Sequence, residues 1–204
     1  MKKKAILKYS FLLIISYFVF VSLALTLEQL GVLSLERQQD NGGKREIAWQ
    51  EHRSGYLNIY FEPDADLKAI HKRLHRRLFY VNSPGKTPAL ADSREKIAYR
   101  LDRLLERVME VLDMYPAERN LNIKVFKKRR ELSEEYYRIF RKRANPKAFY
   151  VHKYRTIYAS ESDMTDTVIA HEMGHAVVDS YFRVIPPEKI GEMLANYVDM
   201  HLEE

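Results

Sequence analysis

An α+β fold is predicted for this chain: a small mixed sheet backed by one long helix, with two further helices at the C-terminal end. Three observations carry that prediction. Residues 56–61, Tyr-Leu-Asn-Ile-Tyr-Phe, alternate like a half-buried strand. Residues 93–115 repeat apolar side chains with the 3.6-residue period of one buried helix face. A hairpin-like pair of segments over 148–161 then runs directly into another helical stretch.

Taken in order, the first strand Tyr56–Phe61 is followed by a helix over Asp64–Tyr80, with Leu67, Ile70, His71, Leu74 and Leu78 on one face. The loop 81–91 holds Pro84, Gly85 and Pro88. The long helix Ser93–Tyr115 lines up Ile97, Leu101, Leu104, Leu105, Val108, Val111 and Leu112; Asp92 is placed to cap it and Pro116 to stop it. Leu121–Phe126 reads as a second strand. Glu131–Arg143 reads as a charged helix with Leu132, Tyr136, Ile139 and Phe140 inward. Ala148–Tyr154 and Thr156–Glu161 form the hairpin. The helix Asp163–Phe182 begins with Asp163 as its cap, has Thr165 and Asp166 in its first turn, and takes Val168, Ile169, Ala176 and Val177 as apolar positions. Pro186-Pro187 closes the next loop, and proline suits the start of a helix. Along Glu188–Leu202, one stripe is Ile190, Leu194, Tyr197, Val198 and Leu202. A second, mostly polar line is Glu192, Ala195, Asn196 and Asp199.

The helix 163–182 carries His171-Glu172-Met173-Gly174-His175. Positions i and i+4 share a helix face, so both imidazoles can reach one point in space. Zinc accepts imidazole nitrogens, and a catalytic zinc has three protein donors with one position left for water. Glu172, about 100° round the helix from His171, is placed to take a proton from that water. A third donor is therefore required. Glu192, on a helix returning past the first, is the best candidate, and Asn196 one turn on could hold a ligand histidine by its second ring nitrogen. The position six residues after His175 is Tyr181 rather than a histidine. Asp179 lies one turn beyond His175, too far along the axis to complete a tetrahedron, and reads as a partner of the ligands. His201 falls on the apolar side of the last helix.

These residues, with Glu192-Met193-Leu194-Ala195 downstream, resemble the gluzincin branch of the zincin metallopeptidases, and most of all the minigluzincins. The resemblance covers roughly residues 56–204, with its specific motifs in the last 40 or so. It implies that His171, His175 and Glu192 bind one Zn2+ and that Glu172 is the general base. It implies a zincin-like upper subdomain, whose last strand feeds the active-site helix and whose C-terminal helix bears the ligand glutamate. In that group the strand above the cleft binds an extended peptide by strand addition, and here that edge would be Phe149–Lys153. The pattern also departs from the family. Only 12 residues follow Glu192, with no lower lobe and no histidine or tyrosine where gluzincins place an oxyanion stabiliser. Tyr197, Tyr158 and Tyr181 are the local candidates for that role.

Composition bounds the setting. Lys2, Lys3, Lys4 and Lys8 precede Tyr9–Leu27, which has no charge. Nineteen such residues span about 28 Å as a helix, close to a bilayer's hydrocarbon core. The basic flank stays cytoplasmic, so the remainder is expected to be exported, with residues 1–27 as a membrane anchor or a cleaved signal. Ser22-Leu23-Ala24 would serve as a cleavage site. Residues 28–54 read as a linker or pro-segment and 55–204 as one domain. The absence of cysteine excludes a disulfide framework.

The pI near 9.3 does not point to nucleic acid, because residues beyond 24 carry 30 basic against 28 acidic side chains. The runs 127–130 and 141–143 are offset by Glu131, Glu134 and Glu135, as on a solvated helix face or one touching anionic lipid. The function expected is a zinc-dependent peptidase outside the cytoplasm, acting on a peptide or protein substrate, with an activating partner as a further expectation. The alternative is a catalytically weak or inactive zincin-fold binding or assembly module at the membrane surface.

Overall fold

A computed structural model describes residues 47–74, 92–118 and 120–203. Among them are five strands, β1 (Gln50–Arg53), β2 (Leu57–Phe61), β3 (Leu121–Phe126), β4 (Ala148–Val151) and β5 (Thr156–Ser160). Five α-helices accompany them: α1 (Leu67–Arg73), α2 (Ser93–Leu112), α3 (Arg129–Phe140), α4 (Asp166–Tyr181) and α5 (Glu188–His201). The strands form one mixed sheet in the order β1-β2-β3-β5-β4. Its inner pairs β2–β3 and β3–β5 are parallel, and its outer pairs β1–β2 and β4–β5 are antiparallel.

Alternation decides what each sheet face meets. Leu57, Ile59 and Phe61 of β2, Leu121, Ile123 and Val125 of β3, and Ile157 and Ala159 of β5 bury themselves in one cluster. The long helix α2 contributes Ile97, Ala98, Leu101, Leu104, Leu105, Val108 and Met109 to it, and α4 contributes Ile169, Ala170, Met173, Ala176 and Val177. On the opposite face, Phe126, Phe149, Val151 and Tyr158 pack with Leu132, Tyr136 and Ile139 of α3. The β1–β2 turn is tied to α2 by Asp102, whose carboxylate accepts from Ser54 Oγ and from the N–H groups of Gly55 and Tyr56.

Several boundaries differ from the sequence reading. The folded unit begins at Ile47, and β1 lies inside residues 28–54, read above as a linker. Gln-Glu-His-Arg has no apolar alternation, because β1 is a sheet edge with no fully buried side chain. The long helix ends at Leu112, before Pro116, because Asp113 turns left-handed at φ 51° and its N–H bonds back to Glu110 and Met109 carbonyls. Arg141, at φ 56°, likewise ends α3 before Arg143, and α3 starts at Arg129 rather than Glu131. Helix α1 closes at Leu74, whose backbone is extended; residues 75–80 of the helix read there lie outside the described residues. So does the apolar segment 9–27. Among the described residues no helix is long and apolar enough to cross a membrane.

Two members of the basic run 127–130 are committed to the fold. Lys127 Nζ meets the buried Glu161 at 2.9 Å, and Arg129 pairs with the buried Asp163. Arg130 lies 3.5 Å from Glu134.

Candidate metal centre

Helix α4 starts two residues later than its sequence suggests. Thr165, not Asp163, is the cap, taking the Val168 N–H on its hydroxyl at 3.4 Å. Asp163 instead closes the turn after β5, accepting from Arg129, Ser160 and Ser162. Burial alone would raise its pKa, yet these hydrogen bonds prevail and hold it below the usual carboxylate value.

From this anchored start α4 carries His171, Glu172 and His175 past α5. The two helices run antiparallel: His175 lies against Gly191, Gly174 against Ala195 and Val198, and His171 against Asp199. They cross closely because both contact residues are small. A methyl group placed on Gly174 would stand 3.3 Å from the Ala195 Cα, tighter than side chains normally tolerate.

At this crossing Glu192 comes between the imidazoles. Its carboxylate oxygens lie 3.8 Å from His171 Nε2 and 3.5 Å from His175 Nε2. One ligand atom from each residue lies within 4.8 Å of the other two. Donors about 2.0–2.1 Å from a tetrahedral zinc stand about 3.3–3.4 Å apart, so these spacings fit such an ion with little movement. Two imidazole nitrogens and one carboxylate oxygen also suit zinc chemically. The histidine side chains are largely covered, at 24% and 21% exposure, whereas Glu192 is half-exposed at 51%.

Outer contacts orient the donors. Asp199 Oδ2 lies 2.9 Å from His171 Nδ1, which turns Nε2 towards Glu192. Asn196, expected in that role, is exposed, and the antiparallel crossing explains the difference. His171 precedes His175 by a turn, so its neighbour must lie a further turn along α5 from Glu192 than Asn196 does. Burial, the largest influence on His175, lowers its pKa and favours the neutral ring that ligation needs; Glu192 opposes it in part.

Glu172 lies beside this trio, near enough for the charges of His171, Glu192 and Asp199 to act on it, and also reaches the edge strand β4. Its carboxylate accepts the backbone N–H of Tyr150. Burial pushes its pKa up to about 7; His171 and the Tyr150 N–H pull it down, while Glu192 and Asp199 add to the rise. A carboxyl group in that range can both accept and return a proton near neutral pH.

The other expected residues stand elsewhere. Asp179 touches neither histidine of the motif; it accepts the Tyr150 hydroxyl at 2.7 Å and lies 2.5 Å from His152 Nδ1. Tyr158 is buried on the opposite sheet face, stacked on Phe149 at 4.9 Å. One residue of strand separates it from Ile157 and Ala159, which face α4, so period two turns it away. Tyr197 is exposed and stacks on His201, whose Nδ1 bonds the Tyr197 carbonyl. Tyr181, the last residue of α4, packs its exposed ring against Phe182. None of the three tyrosines is brought to the trio. Sequence reasoning missed Tyr150 because its backbone, which leaves no side-chain signal, makes the contact with Glu172.

No family model, curated protein or solved structure matches the chain.

Proposed function

We propose that this chain is a zinc-dependent peptide hydrolase of the gluzincin type, exported and tethered or released through its N-terminal segment. One observation carries the reading. Glu192, from a separate helix, meets the Nε2 atoms of both histidines within 3.5 and 3.8 Å, while Glu172 stays outside that trio on its own hydrogen bond. An accidental pair of helix histidines has no reason to acquire a third metal donor from another element.

His171, His175 and Glu192 would hold the ion, with Asp199 fixing the first ring. Zinc bound there supplies a Lewis acid that acidifies water and polarises a carbonyl. Glu172 takes the proton released on attack and passes it to the departing amine nitrogen, so the carboxyl group ends as it began. Its partly buried place beside β4 gives it the basicity for both transfers. The edge of β4 offers a peptide backbone a strand to pair with.

A second reading draws support from the tyrosines. With Tyr158, Tyr181 and Tyr197 all engaged elsewhere, no expected side chain backs the metal as an oxyanion donor. A scaffold retained for binding or assembly, weak in catalysis, follows from that. Glu172→Gln in the zinc-loaded protein separates the two. Under the peptidase reading the variant keeps one zinc per chain and loses peptide cleavage by at least about a hundredfold. Cleavage equal to wild type would refute the role of Glu172, and a zinc-loaded wild type that cleaves nothing favours the second reading.

A further inference from the structure

Among the described residues, twelve large hydrophobic side chains are exposed, and eight of them fall in the stretch 181–200. Four of the eight lie on α5: Ile190, Met193, Tyr197 and Met200, exposed by 38%, 58%, 42% and 68%. At about 100° per residue they fall within an arc of about 80°. The buried Ala195, Val198 and Leu202 lie about 150° away, turned towards α2 and α4. Helix α5 is therefore apolar on two sides, and the elements described above cover one of them. Val184 and Ile185, in the loop leading to α5, are exposed as well. Bare apolar surface gathered in one place marks a contact site.

The spacing names the kind of contact. Steps of three, four and three residues from Ile190 to Met200 are those of the seam positions in paired helices, whose side chains interlock with a second helix. The flanking charges name the occupant. Lys189 and Glu203 stand at the two ends of the stripe and are both exposed. Leu202 keeps helical angles (φ −63°, ψ −33°), so Glu203 follows in phase. A second copy of α5, laid antiparallel about a two-fold axis at Ala195, puts Ile190 opposite Met200 and Met193 opposite Tyr197. All four apolar residues are then covered at once. The same register brings Lys189 of each copy within about 3 Å, along the axis, of Glu203 in the other, which both side chains can span. A parallel pair has no such match, because Lys189 stands level with Lys189 and Glu203 with Glu203. A surface complementary to itself is what a two-fold contact between identical chains requires.

We infer that α5 is a self-association surface, through which two copies of this chain pair antiparallel by Ile190, Met193, Tyr197 and Met200. The inference stands apart from the peptidase reading, since it involves neither zinc nor Glu172.

The full chain in nonionic detergent would be sedimented at a solvent density that matches the detergent. At about 100 µM it should carry the mass of two chains, a weak pairing suited to so short a seam. Met193→Lys combined with Met200→Lys should leave the mass of one, with thermal unfolding confirming that the double variant is folded. Lys189→Glu should raise the dissociation constant about tenfold, and adding Glu203→Lys should restore it. The chain has no cysteine, so introduced thiols report the register. A mixture of Ile190→Cys and Met200→Cys chains should form the mixed disulfide. Ile190→Cys alone should not cross-link, because its two copies stand about 15 Å apart along the axis. A monomeric wild type overturns the inference, and so does a dimer indifferent to the lysine substitutions. Cross-linking of Ile190→Cys with itself in place of the mixed pair overturns it by showing a parallel arrangement. Peroxide oxidation of Met193 and Met200 then identifies what covers the stripe of a monomeric wild type. Slow oxidation of the chain alone assigns it to a segment of the same chain, and oxidation slowed only by phosphatidylcholine vesicles assigns it to lipid; both overturn the inference.

Discussion

Asp199→Ala is expected to weaken zinc binding by about 10- to 100-fold, the usual effect of losing the group that orients a ligand histidine. The structure gives the same size by another route. The Asp199–His171 contact is 2.9 Å, and both side chains are partly covered, at 29% and 24% exposure. A hydrogen bond to a charged group in such surroundings contributes about 1.5–3 kcal/mol, or roughly 10- to 150-fold in affinity. Alanine leaves the helix intact, so Glu192, two turns away, keeps its place. Glu192→Ala removes a donor itself and should cost more than Asp199→Ala. Asn196→Ala, altering an exposed side chain, should change the affinity less than twofold. Competition with a chromophoric chelator measures all three, and thermal unfolding of the metal-free proteins checks that each is folded. If Asn196→Ala weakens binding as much as Asp199→Ala, the antiparallel alignment of α4 and α5 is wrong. If none of the three changes it, zinc binds elsewhere.

Two further perturbations test the frame around the centre. Gly174→Val puts methyl groups where a Cβ already stands 3.3 Å from Ala195 and 3.5 Å from Val198; overpacking should cost about 1–3 kcal/mol, and zinc affinity should fall as the helices part. A variant that loses stability yet binds zinc as wild type does would uncouple the crossing from the centre. Asp163 has its folded pKa depressed, so its stabilisation is present above the unfolded value of about 3.9 and lost as pH falls through the lower folded value. Asp163→Asn should therefore lower stability at neutral pH and flatten its decline below about pH 4 in chemical denaturation; an acid limb as steep as wild type would refute the ion pair with Arg129.

Where the sequence was legible, one periodicity settled the matter. The first five residues of β3 alternate without interruption, and strand and reading coincide at Leu121–Phe126. The ends of α2 and α3 were not legible, because Asp113 and Arg141 are left-handed non-glycine residues, and that conformation is uncommon outside glycine. Within the site, His171, Glu172 and His175 could be placed from helix geometry alone, and helical phase put Glu192 on a line that faces them. The choice between Asn196 and Asp199 depended on how far α5 slides along α4. That offset is set by the loop 182–187 and by contact of Gly174 with Ala195, and no local pattern encodes it. Tyr158 must lie opposite Ile157 and Ala159 by period two, but β5 is buried on both faces, so its sequence does not show which side meets α4.

The position of Glu192 also depends on the first half of the domain. Helix α5 leaves its last carbonyls without partners inside the helix. Arg107, on the long helix α2, donates to two of the terminal carbonyls, at His201 and Leu202, with distances of 3.1 and 3.2 Å. Val198 and Leu202 meanwhile lie in the same core cluster as Leu104, Leu105 and Val108. The C-terminal helix is thus held at its far end by α2 and at its middle by Gly174 of α4. Those two fixings define its axis, and the axis carries Glu192 to the imidazoles. A donor half-exposed at the surface acquires a definite position in this way, with no rigid contact of its own.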